Sequence, residues 1–466
     1  MLRVLGRQVP LCDGVSRREW LRVGSLGLSG LSLPHLLASR ARATVDGPTA
    51  PPKAKSVILF WLTGGVPQHD TWDPKPTGPE HARSEFGVIA SQTPGLHVGA
   101  LMPKTARLTD RIAVLRAMVT GDHSHSSSGY QMLTGIPHIP LSRENALPGV
   151  PNDWPSLGAL TRVLRADEGG LPSAITLPRH IANVGEKVWP GQDAGFLGRS
   201  FDPWLLTCDP SADNFQIPDL QLPPDVSSPR YDRRRDLLGQ VNQQLDQMER
   251  RAETQQYDLH VQQAISLLSG GRAREAFDLA REPDTVRDRY GRSKFAQSVL
   301  LARRLIEAGT SLVQVNWQRI DDKENNGSWD THIKHHASLK GWLMPIMDQA
   351  FTALLEDLED RGLLDETLVA WVGEFGHTPR INARAGRDHW GHVFSIAMAG
   401  GGVRGGAVHG ATDQQAAFPV SGRVAPCDYA ATVLHCLGFE PETILHDDKD
   451  RTITISRGRV IDAVLA

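Results

Sequence analysis

Leu368-Val-Ala-Trp-Val372 is a continuous apolar run, and the residues directly after it read Gly373-Glu-Phe-Gly-His-Thr-Pro-Arg-Ile-Asn-Ala-Arg-Ala-Gly-Arg-Asp-His-Trp-Gly-His392. A short apolar run closed by glycine is the pattern of a strand buried on both faces. The loop beyond it gathers the carboxylates Glu374 and Asp388, the imidazoles His377, His389 and His392, and the guanidinium groups Arg380, Arg384 and Arg387. Carboxylate and imidazole suit divalent metal ions, while Arg pairs with oxyanions such as phosphate or sulfate. Alone, the same residues would also make a salt-bridged polar loop. Recurrence of the pattern elsewhere decides between the two.

It recurs. Residues 56–62 form a second apolar run, followed by His69, Asp70 and Asp73. Residues 112–118 form a third, followed by His123, His125 and the serines Ser126, Ser127 and Ser128, with a helix expected over the first turns from Tyr130 to Leu133. Residues 311–317 precede Asp330, His332, His335 and His336, and residues 394–399 precede His409 and Asp413. A short strand is expected over 173–177. Residues 155–164, 293–306, 339–359 and 428–437 carry apolar positions at helical spacing between these runs. Strands alternating with helices imply an α/β fold, a mostly parallel central sheet sandwiched by helices. Ligands bind such sheets beyond the carboxyl ends of the strands, and right-handed crossovers bring those ends to one edge. The polar clusters all follow strands, so they are expected to meet there.

Two stretches interrupt the alternation. Residues 231–280 are polar and helix-prone, with Leu237, Val241, Leu245 and Met248 at helical spacing, and read as an inserted helical hairpin. Residues 180–230 are rich in Gly, Pro and aromatics, including Trp189, and read as an irregular cover over the site.

The chain has 466 residues, a net charge of −3, 22% charged and 40% hydrophobic residues, so it can bury a substantial core and carries no basic footprint for nucleic acid. The cysteines, Cys12, Cys208, Cys427 and Cys436, have no metal-binding or disulfide-framework spacing. Ser16-Arg17-Arg18-Glu19-Trp20-Leu21 followed by a moderately apolar run and Ala41-Arg42-Ala43 resembles a twin-arginine signal peptide. The run is broken by Pro34 and is shorter than the ~20 residues of a membrane span. Residues 1–43 are therefore expected to be a removed leader, 44–55 a linker, and 56–466 one exported domain, periplasmic or in the cell envelope, with no transmembrane span after cleavage.

Asp330 and His332 are two residues apart, so in an extended segment they face one side. Asp388 and His389 are adjacent and can serve an ion where the loop turns. With Glu374 and Asp70 they make the expected metal set, for which Zn, Ca, Mg and Mn all fit. His125 and Ser126 are the candidate catalytic groups at a helix start, and Arg380 or Arg387 the candidate anion holder.

Together, residues 56–62, His123 and His125 with Thr134-Gly135, Trp329-Asp-Thr-His332, Gly373-Glu-Phe-Gly376 with Pro379-Arg380, and Gly386-Arg-Asp-His-Trp390 resemble the bacterial exported family called "domain of unknown function 1501". That family resembles a branch of the alkaline phosphatase and sulfatase superfamily, which implies an α/β sandwich and commonly two divalent ions. The run from His125 to Gly135 looks like the sulfatase signature, with His125 at the nucleophile position and Gly129 in place of an Arg. Thr63 stands where the superfamily has an Asp, and Glu374-Phe375 where it has Asp-His. With no Cys at position 125, formylglycine chemistry is excluded there; Ser126 substitutes, water attacks directly, or hydrolysis is lost. The expected function is metal-dependent hydrolysis of phosphate or sulfate esters, on an anionic ester or sulfated polysaccharide substrate. The alternative is a non-catalytic exported protein that binds such a polymer.

Overall fold

The computed structural model describes residues 52–168, 170–217, 271–320, 323–447 and 451–466. The expected leader and most of the expected helical insertion lie outside these residues; the end of the latter is the helix Gly271–Phe277.

The main sheet contains β1 (Ser56–Trp61), β2 (Ile112–Met118), β3 (Ala174–Leu177), β4 (Trp204–Leu205), β5 (Leu312–Asn316), β6 (Thr367–Val372), β7 (Phe394–Ala399) and β8 (Val408–His409), in the spatial order β8-β2-β7-β6-β1-β5-β3-β4. β1 is central and lies parallel to both neighbours, paired with β6 from Ser56↔Thr367 to Trp61↔Val372 and with β5 from Val57↔Leu312 to Trp61↔Asn316. β7 alone runs against its neighbours β6 and β2, which leaves the sheet mostly parallel.

β1 explains why its run is apolar throughout. Alternate side chains of a strand point to opposite faces. Ile58 and Phe60 join one core, with Phe295, Val299 and Leu300 of α3 (Lys294–Glu307) and Phe351 and Leu354 of α4 (Met344–Asp360). Val57, Leu59 and Trp61 join the other, with Met132 and Leu133 of α1 (His125–Thr134), Leu157 and Leu160 of α2 (Leu157–Leu164), and Val433 and Leu434 of α5 (Pro426–Cys436). Both faces are covered, and the polar residue at the strand's start, Ser56, meets the Thr367 hydroxyl at 3.2 Å.

Local chemistry sets most helix ends. Ser156 and Ser293 accept the backbone N–H of Ala159 and Ala296 and so cap α2 and α3. α4 is preceded by a π-helical turn, Leu339–Leu343, where the periodicity predicts one unbroken helix. α1 begins at His125, a turn and a half before the expected Tyr130. Its N-cap Ser124 makes no side-chain cap. Instead Asp122 Oδ1 accepts the Ser124 N–H at 2.9 Å and Glu144 Oε2 accepts the His125 N–H at 2.8 Å. Acidic groups suit a helix N-terminus, but these come from outside the helix. Among the described residues no helix is long and apolar enough to cross a membrane.

Candidate metal centre

Strands β6, β1 and β5 are adjacent and parallel, so the loops leaving their carboxyl ends must touch. Gly64, beyond β1, donates its N–H to Glu374 Oε1, beyond β6, at 2.8 Å. Trp329, beyond β5, donates its N–H to the Thr63 carbonyl at 3.0 Å. Gly64 has φ +115°, and a Cβ there would collide with the Asp330 backbone, so only glycine lets these loops meet. β2 runs in the same direction and delivers the start of α1 to the same edge.

Asp330 is where they converge. Its Oδ1 lies 2.9 Å from His332 Nε2 and 2.9 Å from His389 Nε2, and its Oδ2 lies 3.3 Å from His125 Nε2. The far nitrogen of each ring is held from behind. His125 Nδ1 meets Glu374 Oε1 at 2.9 Å, His332 Nδ1 meets Asp388 Oδ1 at 2.9 Å, and His389 Nδ1 meets the His123 carbonyl at 2.7 Å. Carboxylate and carbonyl oxygens only accept, so each Nδ1 carries a hydrogen and each neutral ring turns the Nε2 lone pair toward Asp330. His332 Nε2 and His389 Nε2 are 3.0 Å apart. Lone pairs this close to a carboxylate and to each other require positive charge between them, as extra protons or as a cation. Ring hydrogens on both His332 and His389 would clash, whereas one cation satisfies both. Imidazoles backed by carboxylate or carbonyl are the usual support of a metal site. The donor set therefore fits a divalent ion: His125, Asp330 and His389 bring ligand atoms within 4.8 Å of one another, and His332 Nε2 lies beside His389 Nε2.

Electrostatics agree. Burial acts to lower the His125 pKa, but the charge of Asp330 and the hydrogen bonds to Asp330 and Glu374 outweigh it and push it up to about 10. His332 is raised chiefly by its bond to Asp330. Burial favours the neutral form of Asp330, yet the charge of His125 and the three imidazole bonds hold it well below the usual carboxylate range. Without a cation the cluster gathers protons.

The centre opens into a hollow of about 380 Å³, whose other walls include Glu144, Asn183, Lys187, Trp189 and Arg319. Asn183 and Lys187 belong to the short ribbon Ala182–Asn183 and Lys187–Val188, so the start of the irregular segment, whose residues 218–230 lie outside the described ones, lines the hollow. The Trp189 ring stacks on His125, with centroids 5.7 Å apart and planes 22° apart, and its Nε1–H bonds Asn183 Oδ1 at 2.6 Å. Phe375 lies on the other side, its ring centroid 4.4 Å from that of His389 and 5.0 Å from that of His125. A Cβ at Gly129 would collide with the Trp189 ring, which explains glycine where the resembled signature has Arg. Gly129→Ala is expected to cost roughly 1–3 kcal/mol by overpacking, measured as a lowered denaturant midpoint.

Other expected residues sit elsewhere. Glu374 and Asp388 back the ligand rings instead of facing the centre. Asp70 is fully buried and bonded to His335 Nε2 at 3.0 Å and to the Ser84 hydroxyl at 2.6 Å. Arg387 is also buried; its Nη1 donates to the Thr378 and Pro379 carbonyls at 2.7 Å, and its Nε lies 3.8 Å from Asp70 Oδ2, so it cannot reach an anion in the hollow. Arg380 lines a separate hollow with Glu80, His81 and His336. Each serine of the triplet is buried and committed: Ser126 accepts from Asn183 Nδ2, Ser127 from the Arg143 N–H, and Ser128 donates to the Glu374 carbonyl. Ser126, the expected nucleophile, is fully buried. His125 faces Asp330 together with His332 and His389. His409 lies within β8, and Asp413 accepts backbone N–H groups of Gln415 and Ala417 in a turn. Sequence reasoning missed Lys187, Arg319 and Glu144. Arg319 follows β5 and obeys the strand-end rule; nothing in the Pro-rich sequence around Glu144 marks it.

The sequence profile of a family described as "Protein of unknown function (DUF1501)" matches residues 54–465. No curated protein matches the chain. Among solved structures it is similar to the PsFucS1 sulfatase from Pseudoalteromonas sp., at 13% identity and TM-score 0.37 over 90% of this chain and 74% of that one. It is also similar to a protein in the alkaline phosphatase superfamily from Vibrio parahaemolyticus, at 10% identity and TM-score 0.38 over 94% and 80%. The phosphonate monoester hydrolase SpPMH from Silicibacter pomeroyi gives 10% identity and TM-score 0.28 over 87% and 76%.

Proposed function

This chain belongs to the DUF1501 family, and we propose that it is an exported metal-dependent hydrolase of phosphate or sulfate esters, with a sulfated or phosphorylated polysaccharide as the substrate class. The observation that carries the reading is the convergence of His125, His332 and His389 Nε2 on Asp330, with every Nδ1 held from behind.

Three imidazoles and one carboxylate favour a borderline ion such as Zn over Ca or Mg, which prefer all-oxygen shells. A bound ion would supply a Lewis acid and a water acidic enough to attack at neutral pH. The chain's own groups do the rest. Glu374, Asp388 and the His123 carbonyl fix the orientation of the rings. Lys187 and Arg319 line the wall of the hollow and would meet the anionic ester. Phe375 and Trp189 shield the back of the rings from water. With all three serines committed, attack by water is the route that remains.

The same commitment of the serines favours the second reading, a protein that binds anionic polymer without cleaving it. Turnover separates the two. Zinc-loaded protein is assayed against aryl phosphates, aryl sulfates, phosphonate monoesters and sulfated oligosaccharides, with chelator-treated protein as control. Hydrolysis lost on chelation and restored by the ion supports the enzyme; saturable binding with no turnover supports the binder. Glu374→Gln should weaken ion affinity roughly 10–100-fold, the usual effect of removing an outer carboxylate from a ligand imidazole, read by competition with a chelating dye.

A further inference from the structure

Among the described residues, the hollow is lined by one carboxylate besides Asp330. His125, Asp330, His332 and His389 are ligands, and Lys187 and Arg319 are cations, which leaves Glu144. We propose that Glu144 is the general base that takes the proton from the attacking water. The inference rests on the hydrolase reading of this site.

Position is the first argument. Glu144 Oε2 accepts the backbone N–H of His125 at 2.8 Å, so the carboxylate is seated on the same residue that supplies a ligand ring. Its Oε1 accepts from Asn183 Nδ2, and Asn183 also receives the Trp189 indole N–H. The carboxylate is thereby clamped between the start of α1 and the covering ribbon, with its residue still exposed to solvent.

The second argument is how the loop is built. The Ser142 N–H is pinned to Asp122 Oδ2 at 3.0 Å and the Arg143 N–H to Ser127 Oγ at 2.9 Å. Ala146 is buried. Ser142 and Asn145, on either side of Glu144, both hold left-handed backbone, with φ of 55° and 54°. Such conformations cost of order 1–3 kcal/mol away from glycine and persist only where surrounding bonds impose them. Buried Asp122 and Ser127 thus fix the loop that carries Glu144 at the wall of the hollow.

The chemistry balances without any further reagent. A water oxygen forms a bond to phosphorus or sulfur as one of its protons passes to the Glu144 carboxylate. The bond to the ester oxygen breaks and its electron pair leaves with the alkoxide. Glu144 releases its proton to solvent, and the alkoxide takes one from solvent. Nothing is oxidised or reduced.

The test compares Glu144→Gln and Glu144→Ala with the wild type, all zinc-loaded. Gln keeps an oxygen for the His125 N–H. Glu144→Gln should lower kcat roughly 10²–10⁴-fold, the range for a lost general base, with KM and zinc content unchanged. Formate should restore part of the turnover of Glu144→Ala in a saturable manner and leave the wild type unaffected. A Glu144→Gln kcat within about three-fold of wild type overturns the assignment. So does a Glu144→Ala loss that tracks lost zinc and resists formate, which would make Glu144 only a prop for His125. Wild type that holds zinc but turns over no ester overturns the hydrolase reading itself.

Discussion

Asp330→Ala is expected to abolish ion binding, and turnover with it. Asp330 is the one carboxylate that the three Nε2 atoms share, at 2.9, 2.9 and 3.3 Å. Without it the ion would face neutral imidazoles with no balancing anionic ligand. The expected loss of affinity is at least about 10³-fold, equivalent to about 4 kcal/mol. The fold should survive, because Asp330 lies in a loop beyond β5 and its side chain is 27% exposed. Calorimetric zinc titration of the variant should show no saturable heat, with the circular dichroism of the wild type. A variant that still binds zinc tightly would move the centre away from Asp330.

Asp70→Ala should do the opposite: unsettle the fold and leave the ion in place. Asp70 is fully buried and bonded to His335 and Ser84, with Arg387 3.8 Å away and also buried. Removing it strands a buried guanidinium, and breaking a buried pair from one side costs about 3–5 kcal/mol. Denaturant unfolding should register that loss, while zinc per folded chain stays at the wild-type value. The pH dependence follows from the same cluster. Burial pushes the Asp70 carboxyl up, but the bond and charge of His335 and the charge of Arg387 outweigh it and hold it well below the usual range. A depressed carboxyl contributes stability above its unfolded pKa near 3.8 and loses it as pH falls below. Burial also depresses His335, and lowers His69 from 6.5 to about 3. His69 contributes fully above pH 6.5 and loses its contribution as pH falls toward 3, and His335 acts in the same direction. All three groups act in one direction, so wild-type stability should decline on acidification from about pH 6.5. Asp70→Ala should lose the part of that slope below pH 4.

The layout of the fold was legible where both faces of an element are buried. β1 and β6 are apolar beyond their first residues, Ser56 and Thr367, because helices cover each side, and α3 and α5 follow their periodicity. The direction of β7 was not legible, since Phe394 to Ala399 reads the same in either sense. Nor was the start of α1, because its caps, Asp122 and Glu144, lie outside the helix. Short edge strands such as β4 and β8 carry too few residues to show a pattern.

The site was legible by location and less so by role. The strand-end rule placed Asp330, His332, Glu374, Asp388 and His389 at one edge, and they do lie together. It could not separate a ligand from the group behind it, because Glu374 bonded to His125 and Asp330 facing it are both carboxylates beside an imidazole. It also could not foresee that Asp70 and Arg387 spend their charges on each other inside the protein. The signature-like run singled out His125, whose Nε2 faces Asp330 at 3.3 Å, while the serines beside it hold groups of neighbouring loops.

Anomalous diffraction from crystals soaked in zinc tests the centre most directly. The account predicts a strong peak bounded by His125, His332 and His389 Nε2 and by Asp330, at roughly the 2.0–2.2 Å of zinc–nitrogen and zinc–oxygen bonds. No peak there, or the sole strong peak beside Asp70 and His335, would contradict it.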